Sequence, residues 1–219
     1  MELTPWRKVF LFGLPVLLTA STAFAFSALA QWLGSDAGYL LGFVVYWLWC
    51  LGVPLVLLGK EGAQSLLQDR APLFRKENWL PIALLALTVA GAVVMYTIPS
   101  IASVSPWVVL FSPIAIVNGT CEEILWRGVY VKAFGRNFLL ACLYPALGFA
   151  ISHLSSELVF PAEGGVAPFI VSTFFLGLAY GYVAYRRGSA LWTALAHSLI
   201  GLLAFGEPLS TSIVRLLAR

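Results

Sequence analysis

Charge is the scarcest commodity in this chain. Only 11% of its 219 residues are Asp, Glu, Lys or Arg, and there are two histidines and three cysteines. So little charge excludes an ordinary soluble surface. The net charge of +3 is too small to indicate a nucleic-acid partner. Cys50, Cys121 and Cys142 are scattered through apolar runs with no close pair, which excludes a disulfide framework or a CxxC metal site. They read as small core residues. Internal repeats, low-complexity linkers and composition shifts marking a second domain are also missing.

What the chain has is apolar length. Sixty per cent of it is hydrophobic, with eight Trp and fifteen Phe, and its mean hydropathy is +0.90. Apolar runs of about 20 residues recur, the length needed to cross a bilayer core. The pattern predicts an all-α, polytopic transmembrane bundle of about 7–8 spans. Seven are placed, at about 9–33, 39–58, 79–98, 106–134, 138–153, 167–185 and 190–205. The first run is too long for the apolar region of a signal peptide and reads as an uncleaved span, although Ala23-Phe24-Ala25 loosely resembles a cleavage site. Residues 60–78 mix charges with Leu66, Leu67, Leu73 and Phe74 and predict an interfacial segment, interrupted at Pro72. Asn118-Gly119 is expected to loosen the fourth span, and the tail from Glu207 to form a short surface helix. The division is 1–105 for the N-terminal spans and interfacial segment, 106–206 for the core and 207–219 for the tail, all one structural unit.

Basic residues orient the bundle. With the N-terminus inside, Arg7, Lys8, Lys60, Arg70, Arg75, Lys76, Lys132, Arg136, Arg186 and Arg187 all fall on the inner side. Arg215 and Arg219 fall outside, with Asp36, Glu157 and Glu163 in the outer loops.

The informative stretch is NGTCEEILWRGVY, residues 118–130. It places Glu122, Glu123 and Arg127 inside an apolar span, where each ionisable side chain costs roughly 2.5–3.5 kcal/mol on insertion scales. Glu123 and Arg127 are four apart and pair on one helix face, while Glu122 points about 100° away. The only histidines, His153 and His197, lie in later spans. At ~1.5 Å rise per residue, Glu122 lies roughly 18 Å from the inner side, His153 about 22 Å and His197 about 11 Å. Glu122, His153 and His197 are therefore expected to share one cavity. A carboxylate with two histidines suits either a water-activating base with polar partners or a three-ligand metal site, Zn²⁺ being the candidate ion. Cys121 has no base at helical spacing and reads as packing. A transporter or proton relay is a further alternative, but no paired half-helices or inverted repeat supports it.

These residues resemble a known family. Glu122-Glu123-x-x-x-Arg127 matches the EExxxR motif of the CAAX-processing and bacteriocin-processing (CPBP, or Abi) membrane proteases, and Phe149 to His153 matches their FxxxH motif. The stretch ending at His197 resembles their closing segment, though Gly201 stands where the family has Asn or Asp. The resemblance covers about 106–204. It implies an intramembrane endopeptidase acting on a membrane-anchored or C-terminally signalled protein in a prokaryotic cytoplasmic membrane. It makes Glu122 the activator of water, Glu123 and Arg127 its support, and His153 and His197 the groups that orient water or stabilise the oxyanion. The lack of a helical HExxH pair favours the metal-free, glutamate-dependent form. Gly201 removes a side-chain amide, and one lost oxyanion donor typically costs about 10²–10³ in rate. Ser198, Asn118 or a backbone group is the expected substitute. The alternative is a non-catalytic immunity or scaffold protein that kept the fold, for which Gly201 is the favouring feature.

Overall fold

The computed structural model describes residues 4–69 and 71–219; Arg70, counted above on the inner side, lies outside them. The described residues are helical throughout, without a strand. Helix α1 is Pro5–Leu33 and α2 Ser35–Ser65; α3 is Lys76–Ser100, including a π-helical turn at Val93–Thr97. Next come α4 (Pro106–Phe111), α5 (Ile114–Glu123), a π-helical stretch Ile124–Val129 and α6 (Tyr130–Phe134). Leu139–Glu157 forms α7, Val166–Arg187 α8, Leu191–Leu203 α9 and Leu209–Leu217 α10.

Five helices, α1, α2, α3, α7 and α8, are long and apolar enough to cross a membrane. The two other expected spans take different forms. The fourth is broken between α4 and α5 at Ser112-Pro113, because proline has no N–H to continue the ladder. The break is not at Asn118-Gly119, through which α5 runs unbroken. The last, α9, has only 13 residues. The predicted interfacial segment is partly helical: α2 passes a non-helical Gly59 (φ 70°, ψ 175°) and continues to Ser65. That positive φ suits glycine.

Prolines shape the bundle elsewhere too. Pro15 lies inside α1 and cannot donate to the carbonyl four residues back, that of Leu11. The Tyr130 hydroxyl of α6 donates to that Leu11 oxygen at 2.9 Å. The Tyr144 hydroxyl of α7 donates to the neighbouring Phe12 carbonyl. In hydrocarbon an unsatisfied carbonyl costs several kcal/mol, so these bonds dock α1 onto α6 and α7. Leu11, Leu14, Leu18, Cys50, Leu57, Leu125, Trp126, Tyr130 and Phe149 form the buried core around this contact. All three cysteines are free and buried.

The ends of the bundle are tied by ion pairs. At the turn between α1 and α2, Asp36 meets Arg219 at 2.9 Å and Arg215 at 3.6 Å. The C-terminus therefore sits at the opposite end of α1 from Pro5. At the other end Arg187 grips Asp69 through two bonds of 2.8 Å and also donates to the Ala71 carbonyl. Burial by itself would raise the Asp69 carboxyl, but the Arg187 hydrogen bonds outweigh it and hold it below the usual carboxylate range. A depressed carboxylate stabilises the fold above its unfolded value of about 3.9 and loses that contribution as pH falls through its folded value. The detergent melting point is expected to fall with acidification below about pH 4. Asp69→Asn is expected to flatten that dependence and to cost about 3 kcal/mol at neutral pH, since it leaves Arg187 without its partner.

Candidate active site

The sequence places three ionisable groups within six residues, and the fold buries all of them. Glu122 is 1% exposed, Glu123 0% and Arg127 1%. The π-helical stretch begins immediately after Glu123. Its wider turn carries Trp126 and Arg127 into the interior together. Arg127 Nη1 lies 3.1 Å from Glu123 Oε1, as the four-residue spacing predicts. The guanidinium also sits over the Phe149 ring at 4.1 Å. A cation over an aromatic face in a desolvated site gains about 2 kcal/mol.

His197 on α9 joins the two acids. Its Nδ1 is 2.9 Å from Glu123 Oε1, and its Nε2 is 3.4 Å from Glu122 Oε2. Glu123 is paired with Arg127 and accepts, so His197 Nδ1 carries the hydrogen. That fixes Nε2 as the nitrogen facing Glu122. Charge balance completes the picture. One guanidinium neutralises one carboxylate, and a second bare carboxylate in this interior would be uncompensated.

His153, at the end of the main α7 helix, faces the other side of Glu122. Its Nδ1 is 2.8 Å from the Phe149 carbonyl, so Nδ1–H donates and Nε2 is left as an acceptor. Glu122 and His153 line a cavity of about 40 Å³ together with Asn118, Tyr46, Ser152, Ser155, Ser156 and Thr22 among others. A cavity needs roughly 10–15 Å³ to take a water and two to four polar partners to hold it. This one meets both conditions.

The five residues singled out in the sequence fall in two sets, and His197, expected in the cavity with Glu122 and His153, is not among its lining residues but approaches Glu122 from the Glu123 side at 3.4 Å. Glu123, Arg127 and His197 form one connected set, and Glu122 and His153 share the cavity. Among the described residues no three His, Cys, Asp or Glu side chains are placed to hold a metal ion. His153 is held at Nδ1 on the Phe149 carbonyl and His197 at Nδ1 on Glu123.

Other parts of the site had little or no sequence signal. Phe149 carries the Arg127 contact and accepts from His153, and its four-residue spacing from His153 was the only clue. Tyr46 and Trp47 come from α2. The Tyr46 hydroxyl accepts from Trp126 Nε1 at 2.9 Å, and Trp47 Nε1 donates to Asn118 Oδ1 at 2.9 Å. These pairs are 80 and 71 residues apart in the chain, beyond any local pattern.

The comparisons bear on this geometry. A family model described as Rce1-like, type II CAAX prenyl endopeptidase Rce1-like, matches residues 103–203. The segment is similar to that family of membrane proteases. The match holds Glu122, Glu123, Arg127, His153 and His197, and covers a little under half of the chain. No curated protein and no solved structure matches the chain.

Gly201 departs from the family's Asn or Asp for a packing reason. A Cβ there would lie 2.8 Å from the Ala115 Cβ of α5, and one on Gly119 would lie 2.8 Å from Ser198 N. The two glycines let the α5 and α9 backbones cross closely, which holds His197 against both acids. An asparagine at 201 does not fit without separating these helices. Gly201→Asn is expected to lower the melting point, by about 1–3 kcal/mol of overpacking, and to bring no gain in activity. Arg127→Ala strands Glu123 and is expected to cost about 3–5 kcal/mol. Folded yield in detergent should drop well below that of Glu122→Gln, and yields equal to wild type would contradict the structural role of the pair.

Proposed function

We propose that the protein is an intramembrane endopeptidase of the CAAX-prenyl-protease kind that uses Glu122 to activate water. The observation that carries this reading is the cavity beside Glu122, large enough for water, walled by His153 and backed by the Glu123–Arg127–His197 set. Its substrate is a protein held at the membrane by a lipidated or signalled C-terminal part. The basic bias supports a cytoplasmic N-terminus. The host membrane is read as a prokaryotic cytoplasmic membrane.

In this mechanism a water sits between Glu122 and His153 Nε2. In it Glu122 acts as the ionised base, with the His197 Nε2 beside it. It takes one proton from the water as the oxygen adds to the scissile carbonyl carbon. The carbonyl oxygen becomes the oxyanion of a tetrahedral intermediate. Glu122 then gives its proton to the leaving amide nitrogen, the C–N bond breaks, and a new carboxyl terminus and a free amine result. Glu123, held by Arg127, keeps His197 in one tautomer and one orientation throughout. The cavity takes water but not a peptide, so the substrate enters by displacing part of its wall.

The non-catalytic immunity or scaffold reading rested on Gly201. The close crossing with Ala115 gives that glycine a structural reason of its own.

Single-turnover cleavage of a membrane-anchored reporter tests the proposal. Glu122→Gln keeps the shape but cannot take the proton, and is expected to abolish cleavage without unfolding the protein. His153→Ala and His197→Ala are expected to lose roughly 10²-fold or more, and Cys121→Ser to retain most of the activity. Activity is expected to survive a chelator. Full activity in Glu122→Gln would refute the mechanism, and loss with chelator restored by Zn²⁺ would replace it with a metal-dependent one.

A further inference from the structure

Hydrolysis by water needs a donor for the developing oxyanion, and most polar hydrogens near Glu122 are already committed. His153 gives its Nδ1–H to the Phe149 carbonyl and His197 gives its own to Glu123. Ser152 Oγ donates to the Phe149 carbonyl at 2.8 Å and Ser156 Oγ to the His153 carbonyl at 3.0 Å. Arg127 faces Glu123 and the Phe149 ring. Ser198, the neighbour of His197, donates to the Ile116 carbonyl at 3.3 Å and does not line the cavity. Gly201 has no side chain to offer.

Asn118 remains. It lies one helical turn before Glu122 and lines the same cavity. Its orientation is fixed by chemistry. The indole N–H of Trp47 only donates, so the atom it meets at 2.9 Å is the Asn118 carbonyl oxygen. The amide nitrogen then points the other way, and among the described residues it donates to no protein acceptor. The cavity thus has a side-chain amide aimed by a second residue, with its donors unspent. Resting on the peptidase reading above, we propose that Asn118 Nδ2 donates to the scissile carbonyl oxygen and stabilises the oxyanion, and that Trp47 is the positioning residue that keeps the amide from flipping. The amide that the family's closing segment supplies from α9 is supplied here from α5, four residues before the base. The rival donor is the Tyr46 hydroxyl, which accepts from Trp126 and lines the same cavity.

The experiment is single-turnover cleavage of the membrane-anchored reporter by the full chain in lipid nanodiscs, over a range of reporter concentrations. Glu122→Gln runs beside every variant, and each variant's melting point is measured. Asn118→Ala is expected to lower the maximal rate constant by about 10²–10³-fold with half-saturation unchanged. Asn118→Asp, which still accepts from Trp47 but presents no N–H, is expected to lose as much, so a fold defect in one variant does not decide the matter. Trp47→Phe is expected to lose about tenfold in wild type and nothing further in the Asn118→Ala background, which a merely structural role would not produce. Ser198→Ala is expected to stay within roughly threefold of wild type and Tyr46→Phe to lose less than Asn118→Ala. Wild-type cleavage with inactive Glu122→Gln but near-normal Asn118 variants would overturn this inference and leave the peptidase reading standing. A larger loss in Tyr46→Phe than in Asn118→Ala would assign the oxyanion to the phenol and overturn it as well. A wild type no more active than Glu122→Gln would end both.

Discussion

Two carboxylates against one guanidinium, sealed inside an apolar bundle, is the constraint on which the rest of the site depends. Glu123 takes Arg127, and the pair is buried at 3.1 Å. Neither partner has water to fall back on, so both must be held by protein. Phe149 supplies a ring face to the cation, and His197 supplies an N–H to the anion. The second carboxylate, Glu122, is left without a cation of its own, and the His197 Nε2 lies 3.4 Å from it. Glu122 therefore stands apart from the neutralised pair, beside a small polar-lined cavity.

Holding this arrangement takes more than the family-matched segment. The acids and histidines all lie within 103–203, but the cavity wall opposite Glu122 comes from α1 and α2 through Thr22, Tyr46 and neighbours. Thr22 and Ser155 bond across it at 2.8 Å, and Ser155 reaches the Thr19 carbonyl at 3.2 Å. The first two helices thus complete the site as well as crossing the membrane.

Much of this was legible in the residues. Apolar length gave the all-helical bundle, and four-residue spacing gave the Glu123–Arg127 pair. Crude depth counting put Glu122 at the level of both histidines, of which His153 lines its cavity and His197 lies outside it at 3.4 Å. The misses have physical causes. Hydropathy does not see a backbone break such as Ser112-Pro113, because the flanking residues remain apolar, so 106–134 read as one span. Asn118-Gly119 looked like a weak point, whereas Gly119 is small because α9 lies against it. The same holds for Gly201, which motif comparison alone presents as a loss. The contributions of Tyr46 and Trp47 depend on which helices become neighbours, and nothing local in an apolar run of mixed aromatics encodes that.

Pro15 carries a consequence for how the chain is made. Its missing N–H leaves the Leu11 carbonyl without a partner inside α1, and the partner, the Tyr130 hydroxyl, lies 119 residues further on. At a synthesis rate of about 5–20 residues per second, roughly 6–24 s separate the two. For that interval the first helix sits in the bilayer with an open valence that only late-arriving sequence can close. Early insertion and late consolidation are thereby written into one proline.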